Sequence, residues 1–235
     1  PVLSCLGSQY AGWSLSFVQN DDNFSALGSG PCRALAGKED IFKDIKYEDK
    51  FFSTVVILEV DQNPPQQIID KIVDDCHISE KNLTIILTPT RSLCGTTQVV
   101  GRVLEVGLHK VHELGFPIDK VVDGFGSAPL PPPAPDFLIG MGRTNDAILY
   151  GGLVHLYVDT PNDDAEELAK RLPSSTSNDY GKPFADIFKE YKYDFYQIDK
   201  MLFSPAKVIV SSLQTGKSYT SGDINLSLMD DSFNK

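Results

Sequence analysis

Two ionisable residues in the stretch GRVLEVGLHKVHELG, residues 101–115, have the types and spacing needed for acid–base chemistry. The stretch predicts a helix, and Arg102 and Glu105 lie three positions apart, which makes them neighbours on its surface. An arginine so placed can hold a carboxylate ionised and oriented, and that carboxylate can face a cation or activate a water. Gly101 and Gly107 each cost a helix about 1 kcal/mol relative to alanine, which indicates that something packs closely beside it.

The polar residues of this helix share one side. At about 100° per residue they form a single stripe of Gln98, Arg102, Glu105, His109 and His112. An amphipathic helix with a solvated polar face is one interpretation. The other is that the stripe lines a pocket, and it is favoured by the glycines and by the lack of lysine at the N-terminal end of the stripe.

A second candidate is GSGPCRAL, residues 28–35, where glycines precede a helix-starting proline. The backbone N–H groups of Gly28, Ser29 and Gly30 could converge there on an anion. The lysine of a phosphate-binding loop and the G-x-G-x-x-G spacing are both missing from the segment, so nucleotide binding is not supported. A plain tight turn is the alternative, and Cys32 is interpreted as a bystander rather than an activated thiol.

Two further stretches, residues 142–152 and 172–184, offer the mixed donors and acceptors that a heteroaromatic ligand needs. Both could equally be capped helix ends or turns. Their candidate ligand-binding side chains are Arg143, Thr144, Asn145, Asp146, Tyr180 and Lys182.

The histidines and cysteines lack the spacing of a metal site. His109 and His112 have no carboxylate or cysteine at recognised offsets, and the four cysteines are far apart in the chain. We therefore predict no metal, and free thiols rather than disulfides. The sequence also lacks a G-x-S-x-G nucleophile motif.

The elements that must position these residues alternate between the two hydrophobic periods. Strand, helix, strand, loop and helix indicate an α/β layer, and WSLSFVQ and NFSALGS are expected to pair as a hairpin ahead of it. The segment GFGSAPLPPPAPD, residues 124–136, is predicted to be a stiff extended connection, either a linker or the rigid wall of a pocket. The predicted strands cover residues 51–60, 82–88, 152–159 and 207–214 with a short strand beyond, and the further helices cover 64–76, 137–149, 163–172 and 182–191.

Composition excludes several classes of protein. The net charge of −11 should repel nucleic acid and anionic membranes. We find no signal sequence and no apolar run of the roughly 20 residues that a membrane span needs, and we expect a cytoplasmic protein. Because the sequence opens at Pro1 with PVLSCL, we expect a fragment of a longer chain.

Several long stretches resemble, in order, methenyltetrahydromethanopterin cyclohydrolases. They are GSGPCRAL, TPTRSLCGTTQVVGRVLEVG, GFGSAPLPPPAPDF, MGRTNDAILYGG, LPSSTSNDYGKPFADIF and DFYQIDKMLFSPAKVIV. The opening PVLSCLGSQYAGWSL is most similar to the enzymes of methylotrophic bacteria. The resemblance covers residues 1–235 and implies that the family's N-terminal segment is not present.

The resemblance implies an α/β, two-domain cyclohydrolase-type fold with mixed sheets flanked by helices and a pocket between the domains. It also implies a homotrimer that hydrolyses the methenyl bridge of a tetrahydromethanopterin-type pterin, reversibly, to the N5-formyl form. The family uses no metal or organic cofactor, since the pterin itself carries the one-carbon unit. Two other functions are a non-catalytic pterin-binding fragment or pseudoenzyme, and an unrelated anion-binding α/β enzyme that uses GSGPCRAL.

The family's catalytic residues lie in a G-R-x-x-E-x-G motif, which here is Gly101, Arg102, Glu105 and Gly107. This makes Glu105 the expected base and Arg102 the residue that orients it. For the anionic tail of the substrate, the candidates are Arg33, Arg91, Arg143 and Lys182. The full expected set of substrate-binding residues is Gly28, Ser29, Gly30, Arg33, Ser92, Gln98, Arg143, Thr144, Asn145, Asp146, Tyr180 and Lys182.

Overall fold

Each of two units in this chain builds its own four-stranded sheet. The computed structural model describes residues 1–19 and 22–234. One unit is Leu3–Thr90, and the other runs from Arg91 onward together with Pro1–Val2. Both sheets are mixed and carry helices, so the predicted α/β class is confirmed.

The unit Leu3–Thr90 has the strand order β1-β2-β3-β4. Its elements are β1 (Trp13–Gln19), β2 (Asp22–Ser29), α1 (Cys32–Ala36), α2 (Ile41–Asp44), β3 (Thr54–Leu58), α3 (Gln66–Cys76) and β4 (Leu83–Leu87). The predicted hairpin is confirmed, because β1 and β2 pair antiparallel with Trp13 opposite Gly28. Strands β3 and β4 pair in parallel through the crossover helix α3, whose Ile68, Ile72 and Cys76 are buried at four-residue intervals.

The second unit has the strand order β5-β6-β7-β8, with β6 and β7 parallel and the outer pairs antiparallel. Its strands are β5 (Val121–Ser127), β6 (Leu153–Val158), β7 (Lys207–Ser212) and β8 (Ser218–Ser221). Its helices are α4 (Leu93–Val100), α5 (Val103–Glu113), α6 (Phe137–Leu149), α7 (Asn162–Arg171), α8 (Phe184–Glu190) and α9 (Leu226–Phe233). Short 3-10 turns lie at Ser174–Thr176 and Lys200–Leu202, among other places.

Two predictions about this unit are wrong, and one helix was missed. Residues 124–127 belong to strand β5 rather than to an extended connection, and helix α9 was not predicted. The helix expected to run without interruption past residue 101 is broken between α4 and α5, so Gln98 and Glu105 lie on different helices. The proline-rich segment lies inside this unit, so it is not a linker between the two units.

Across the described ranges, no helix combines the length and apolar character needed to cross a bilayer.

Candidate active site

The catalytic pair expected from the sequence lies at the start of α5. Ser92 caps α4, with its hydroxyl accepting a hydrogen bond from Gly95 N at 3.0 Å. Gly101 ends α4 in a right-handed conformation, and Arg102 forms the N-cap of α5. A Cβ atom at Gly101 would lie 3.1 Å from Thr97 O, so glycine lets the chain pass from one helix to the next at close range.

Glu105 is buried. Its exposed fraction is only 1%, and Arg102 Nε donates a hydrogen bond to Glu105 Oε2 at 3.1 Å. The side chain of Arg102 is 14% exposed. The solvated polar face is therefore the wrong interpretation of this helix at its first turn. A negative charge in the first turn is also favoured by the partial positive charge of the helix N-terminus.

The glycines of strand β5 allow α5 to approach the sheet closely. A Cβ atom at Gly126 would lie 2.9 Å from Val103 Cγ1, and one at Gly124 would lie 3.1 Å from Leu104 Cδ1. Gly107 on α5 itself is less crowded, because a Cβ atom there would lie 3.4 Å from Val154 Cγ1, an ordinary contact. The sequence pointed to the glycines of the helix, whereas the tightest contacts come from the strand.

Lys110 is a buried lysine on α5 whose role was not predicted from the sequence. Its exposed fraction is 0%, and its Nζ donates hydrogen bonds to Pro173 O, Thr176 Oγ1 and Met201 O at 2.7, 2.8 and 2.7 Å. Burial lowers the pKa of Lys110 to about 7, and the nearby Asp199 partly offsets this. The available signal was its position seven residues after Val103, which places a lysine on the apolar face.

Arg143 on α6 contacts the proline-rich segment. Its Nη1 donates to Pro133 O at 2.7 Å and to Pro132 O at 3.3 Å. Ala134 N donates to Arg91 O at 3.2 Å, just ahead of α4, and α4 packs against α6. The structure therefore brings α4, α6 and the proline-rich segment together, which supports a structured wall. It also places Arg91, Ser92, Gln98 and Arg143 on these neighbouring elements.

The next three residues of α6 make local hydrogen bonds. Thr144 Oγ1 donates to Gly140 O or Met141 O, and Asn145 Nδ2 donates to Met141 O at 2.9 Å. Thr144 and Asp146 are 1% and 0% exposed. Asp146 Oδ1 accepts from Phe184 N at 2.8 Å and so anchors the start of α8. These contacts give Thr144 and Asp146 structural roles and leave Asn145 as the most accessible of the three.

Tyr180 and Lys182 lie on the segment that leads into α8. Tyr150 OH donates to Lys182 O at 2.5 Å, and Tyr150 and Tyr180 meet edge to face at 5.2 Å. The Lys182 ammonium is paired with Glu190 at 2.7 Å, in a salt bridge whose two side chains are more than half exposed. Such an exposed pair contributes little and can open to a ligand.

In the unit Leu3–Thr90, the Arg33 side chain is buried and makes internal contacts. It is 0% exposed and forms a bidentate pair with Glu39, with N–O distances of 2.7 and 2.6 Å. Its Nη1 donates to Leu6 O and Gly7 O at 3.1 and 3.0 Å. Arg33 therefore has a structural role and is not among the proposed substrate-binding residues.

Backbone N–H groups at the GSGP segment are already hydrogen-bonded to other backbone atoms. Gly30 adopts a φ of 103°, which glycine tolerates, and its N–H donates to Ser8 O at 2.6 Å. Arg33 N donates to Gly30 O at 3.2 Å. Gly28 and Ser29 are the last residues of β2 and pair with Leu58 and Ile57 of β3, so only Gly30 belongs to the tight turn that follows.

The cysteines are free thiols, as predicted. Burial raises the pKa of Cys32 above that of an ordinary thiol, which is the opposite of activation. The buried thiol is consistent with the interpretation of Cys32 as a bystander.

The arrangement at the start of α5 is a buried carboxylate held by a partly exposed guanidinium. Such a carboxylate can stabilise a nearby cation strongly, because the surroundings have a low dielectric constant. It can also accept a proton from water bound beside that cation.

Comparisons with known proteins identify the family. The family model described as "Cyclohydrolase (MCH)" matches residues 1–233. The chain is 59% identical to methenyltetrahydromethanopterin cyclohydrolase of Methylobacillus flagellatus, over 99% of this chain and 70% of that protein. It is 52% identical to the enzyme of that name from Methylosinus trichosporium, over 99% and 88% of the two chains. The identity is 45% with that of Rhodopirellula baltica, over 99% and 70%. The chain therefore belongs to the cyclohydrolase (MCH) family.

Proposed function

We propose that this protein hydrolyses methenyl-tetrahydromethanopterin to N5-formyl-tetrahydromethanopterin, reversibly, as an enzyme of one-carbon metabolism. The relatives that carry this activity in their names match 99% of the chain. The observation that supports the chemistry most directly is the buried Glu105 carboxylate, held by Arg102 at 3.1 Å within the G-R-x-x-E-x-G motif. Because both motif residues are present and paired, the site gives no reason to prefer a pseudoenzyme.

The substrate's methenyl carbon lies between two nitrogens and shares their positive charge. The oxygen of a water adds to this carbon, and Glu105 accepts the proton that the water loses. The resulting carbinolamine opens when the bond from carbon to the second nitrogen breaks, that nitrogen takes up a proton, and the hydroxyl loses its own proton to become the formyl C=O. One cation and one water thus give a neutral formyl product and one released proton. Because the electrophile is already cationic, a weak base is sufficient.

Arg102 has the supporting role in this proposal. Its guanidinium keeps Glu105 ionised in a buried position and fixes the direction of the carboxylate through one charge-assisted hydrogen bond. For substrate binding we retain Gln98, Asn145, Tyr180 and Lys182, because they are partly or largely exposed in the unit that carries the pair. Lys182 would bind the anionic tail after leaving Glu190.

We also propose that the reaction needs no metal or organic cofactor, which activity after exhaustive dialysis against a chelator would test. The expected homotrimer is a further proposal based on family resemblance, and sedimentation velocity would test it. A cytoplasmic location is also proposed, because free thiols are typical of a reducing compartment, and fractionation of cells would test it.

The first experiment replaces the proposed base. In Glu105→Gln, we expect kcat for loss of methenyl-tetrahydromethanopterin absorbance to fall by roughly 10²- to 10⁴-fold, because the amide cannot accept the proton. Substrate binding, measured by fluorescence titration, should persist. The matched control is Glu113→Gln, the same change on the same helix, where the side chain pairs with Lys200 at 3.4 Å. A Glu105→Gln enzyme as active as the parent would refute the assignment.

A further inference from the structure

Lys110 Nζ makes three hydrogen bonds, as many as its protonated form has N–H groups. The acceptors are Pro173 O, Thr176 Oγ1 and Met201 O, all within 2.8 Å. Lys110 follows Glu105 by five residues, which is about 7.5 Å along the axis of α5. A buried lysine with three matched oxygen acceptors therefore lies on the helix that carries the proposed base.

The three acceptors belong to segments far away in sequence. They lie 63, 66 and 91 residues from Lys110, at the turns Ser174–Thr176 and Lys200–Leu202. The two turns are also joined to each other, because Asp199 accepts hydrogen bonds from Ser177 Oγ at 2.7 Å and Asn178 N at 3.1 Å. Lys110 thus ties α5 to a cross-linked pair of turns.

The same network continues into the segment with Tyr180 and Lys182. Asp179 Oδ2 accepts from Asp199 N at 2.9 Å, and Asp179 Oδ1 accepts from Tyr191 OH at 2.8 Å. The chain from residue 177 to residue 182 is therefore held on one side by Asp199. A displacement of the turns relative to α5 would move this segment relative to Glu105.

Stability alone does not account for a lysine at this position. Taking an ammonium group out of water costs several kcal/mol, and a well-packed apolar side chain often gives an equally stable or more stable fold. What three directed hydrogen bonds provide is a single fixed geometry. Reactions of bound substrates are sensitive to such geometry, since a misplacement of about 1 Å can lower a rate roughly 100-fold.

We propose that Lys110 is a positioning residue for the hydrolysis, fixing helix α5 with Arg102 and Glu105 against the segment that carries Tyr180 and Lys182. The inference rests on the proposed function, because it assigns those four residues to the reaction. Lys110 itself does not touch the reacting atoms.

The test uses a matched pair of variants at the acceptor hydroxyl. Thr176→Val removes one acceptor of Lys110, whereas Thr176→Ser keeps it. We expect Thr176→Val to lower kcat about 10-fold with KM within 2-fold of the parent, and Thr176→Ser to retain parent kcat. Lys110→Met should lower kcat about 100-fold, and Lys170→Met, at an exposed lysine on α7, should change neither constant. Equal kcat in Thr176→Val and the parent, or equal losses in Thr176→Val and Thr176→Ser, would overturn the proposal.

Amide hydrogen exchange separates this inference from the proposed function. In Thr176→Val, protection of amides in residues 172–182 and 199–203 should fall, while Thr176→Ser keeps it. If the parent protein does not hydrolyse methenyl-tetrahydromethanopterin, the proposed function fails, and the exchange data still decide whether Lys110 holds these segments. Unchanged protection in Lys110→Met and Thr176→Val would overturn the positioning role whatever the activity.

Discussion

Arg102 and Glu105 depend on each other because both side chains are largely removed from water. A buried ion pair gains little over an apolar pair of the same shape, yet breaking it leaves an uncompensated charge. The pair is therefore difficult to explain by stability and easy to explain by chemistry on a cationic substrate. Its energetic coupling is measurable without any substrate.

A double-mutant cycle on this pair should reveal strong coupling. Arg102→Met should lower the free energy of unfolding by about 3 kcal/mol, because it removes the guanidinium that pairs with the buried Glu105 carboxylate. Adding Glu105→Gln removes the buried carboxylate charge, so the double variant should recover roughly 1 to 2 kcal/mol of that loss. Urea denaturation of the four proteins gives the values.

The control cycle uses Arg171 and Glu167 on α7, whose side chains are 52% and 62% exposed at an N–O distance of 4.0 Å. Its coupling should stay below about 0.5 kcal/mol. Similar coupling in both cycles would mean that Glu105 is not held in a low-dielectric site.

Residue type and spacing in the sequence predicted some side-chain contacts and missed others. The i, i+3 spacing of Arg102 and Glu105 predicted their contact, since neighbouring positions on a helix meet whatever surrounds them. Arg33 and Asp146 were expected to bind substrate, but their partners Glu39 and Phe184 N lie outside the helices that carry them. Whether a polar side chain binds a ligand or is buried against other protein groups depends on tertiary contacts, which the spacing of residues in the sequence does not encode.

At the scale of elements, the close approach of α5 to β5 sets where Glu105 lies. Gly126→Ala would place a methyl group 2.9 Å from Val103 Cγ1 and 3.2 Å from Leu153 O. The backbone oxygen cannot move easily, so α5 must shift, and overpacking of this kind costs about 1–3 kcal/mol. We expect lower stability by thermal denaturation together with a drop in kcat.

Gly107→Ala is the matched control on the facing helix. Its new methyl group would lie 3.4 Å from Val154 Cγ1, and alanine favours a helix interior over glycine by about 1 kcal/mol. Stability should therefore be unchanged or higher. If Gly107→Ala destabilised the protein more than Gly126→Ala, the packing described for α5 would be wrong.

The elements themselves were predicted where a local signal exists. Helix α6 begins and ends as expected, since Asp136 caps it by accepting from Ile139 N at 2.9 Å and apolar residues follow the helical period. The break between α4 and α5 has no such signal, because Gly101 keeps a right-handed conformation. Helix α9 is short and buries only Met229 and Ser232, so its period is weak.

For the whole molecule, buried titratable groups should give stability an unusual dependence on pH. The pKa of Lys110 falls from 10.5 to about 7 through burial. Burial raises the pKa of Cys76 from 9.0 to about 11, and it also raises the pKa values of Cys32 and Tyr150. Lys110 and the three acidic groups change the free energy of unfolding in opposite directions, and they do so over different pH ranges.

Between pH 7 and about 10.5, the unfolded chain binds a proton at Lys110 that the folded chain has released, so the free energy of unfolding rises with pH. Below pH 7, Lys110 is protonated in both the folded and the unfolded chain, so it does not make the free energy of unfolding depend on pH. From about pH 9 upward the unfolded thiols ionise while Cys32 and Cys76 stay protonated, so stability is lost. Stability in the alkaline range should therefore pass through a maximum near pH 9.

Urea denaturation at pH 7.5 and pH 9 tests this directly. The parent should gain about 1 to 2 kcal/mol between the two values, since one differential proton contributes about 1.4 kcal/mol per pH unit. Lys110→Met should lose this gain, whereas Lys170→Met, at a side chain 62% exposed, should keep it. A Lys110→Met protein with the parent's slope would mean that another group titrates in this window and that the buried lysine holds its proton through it.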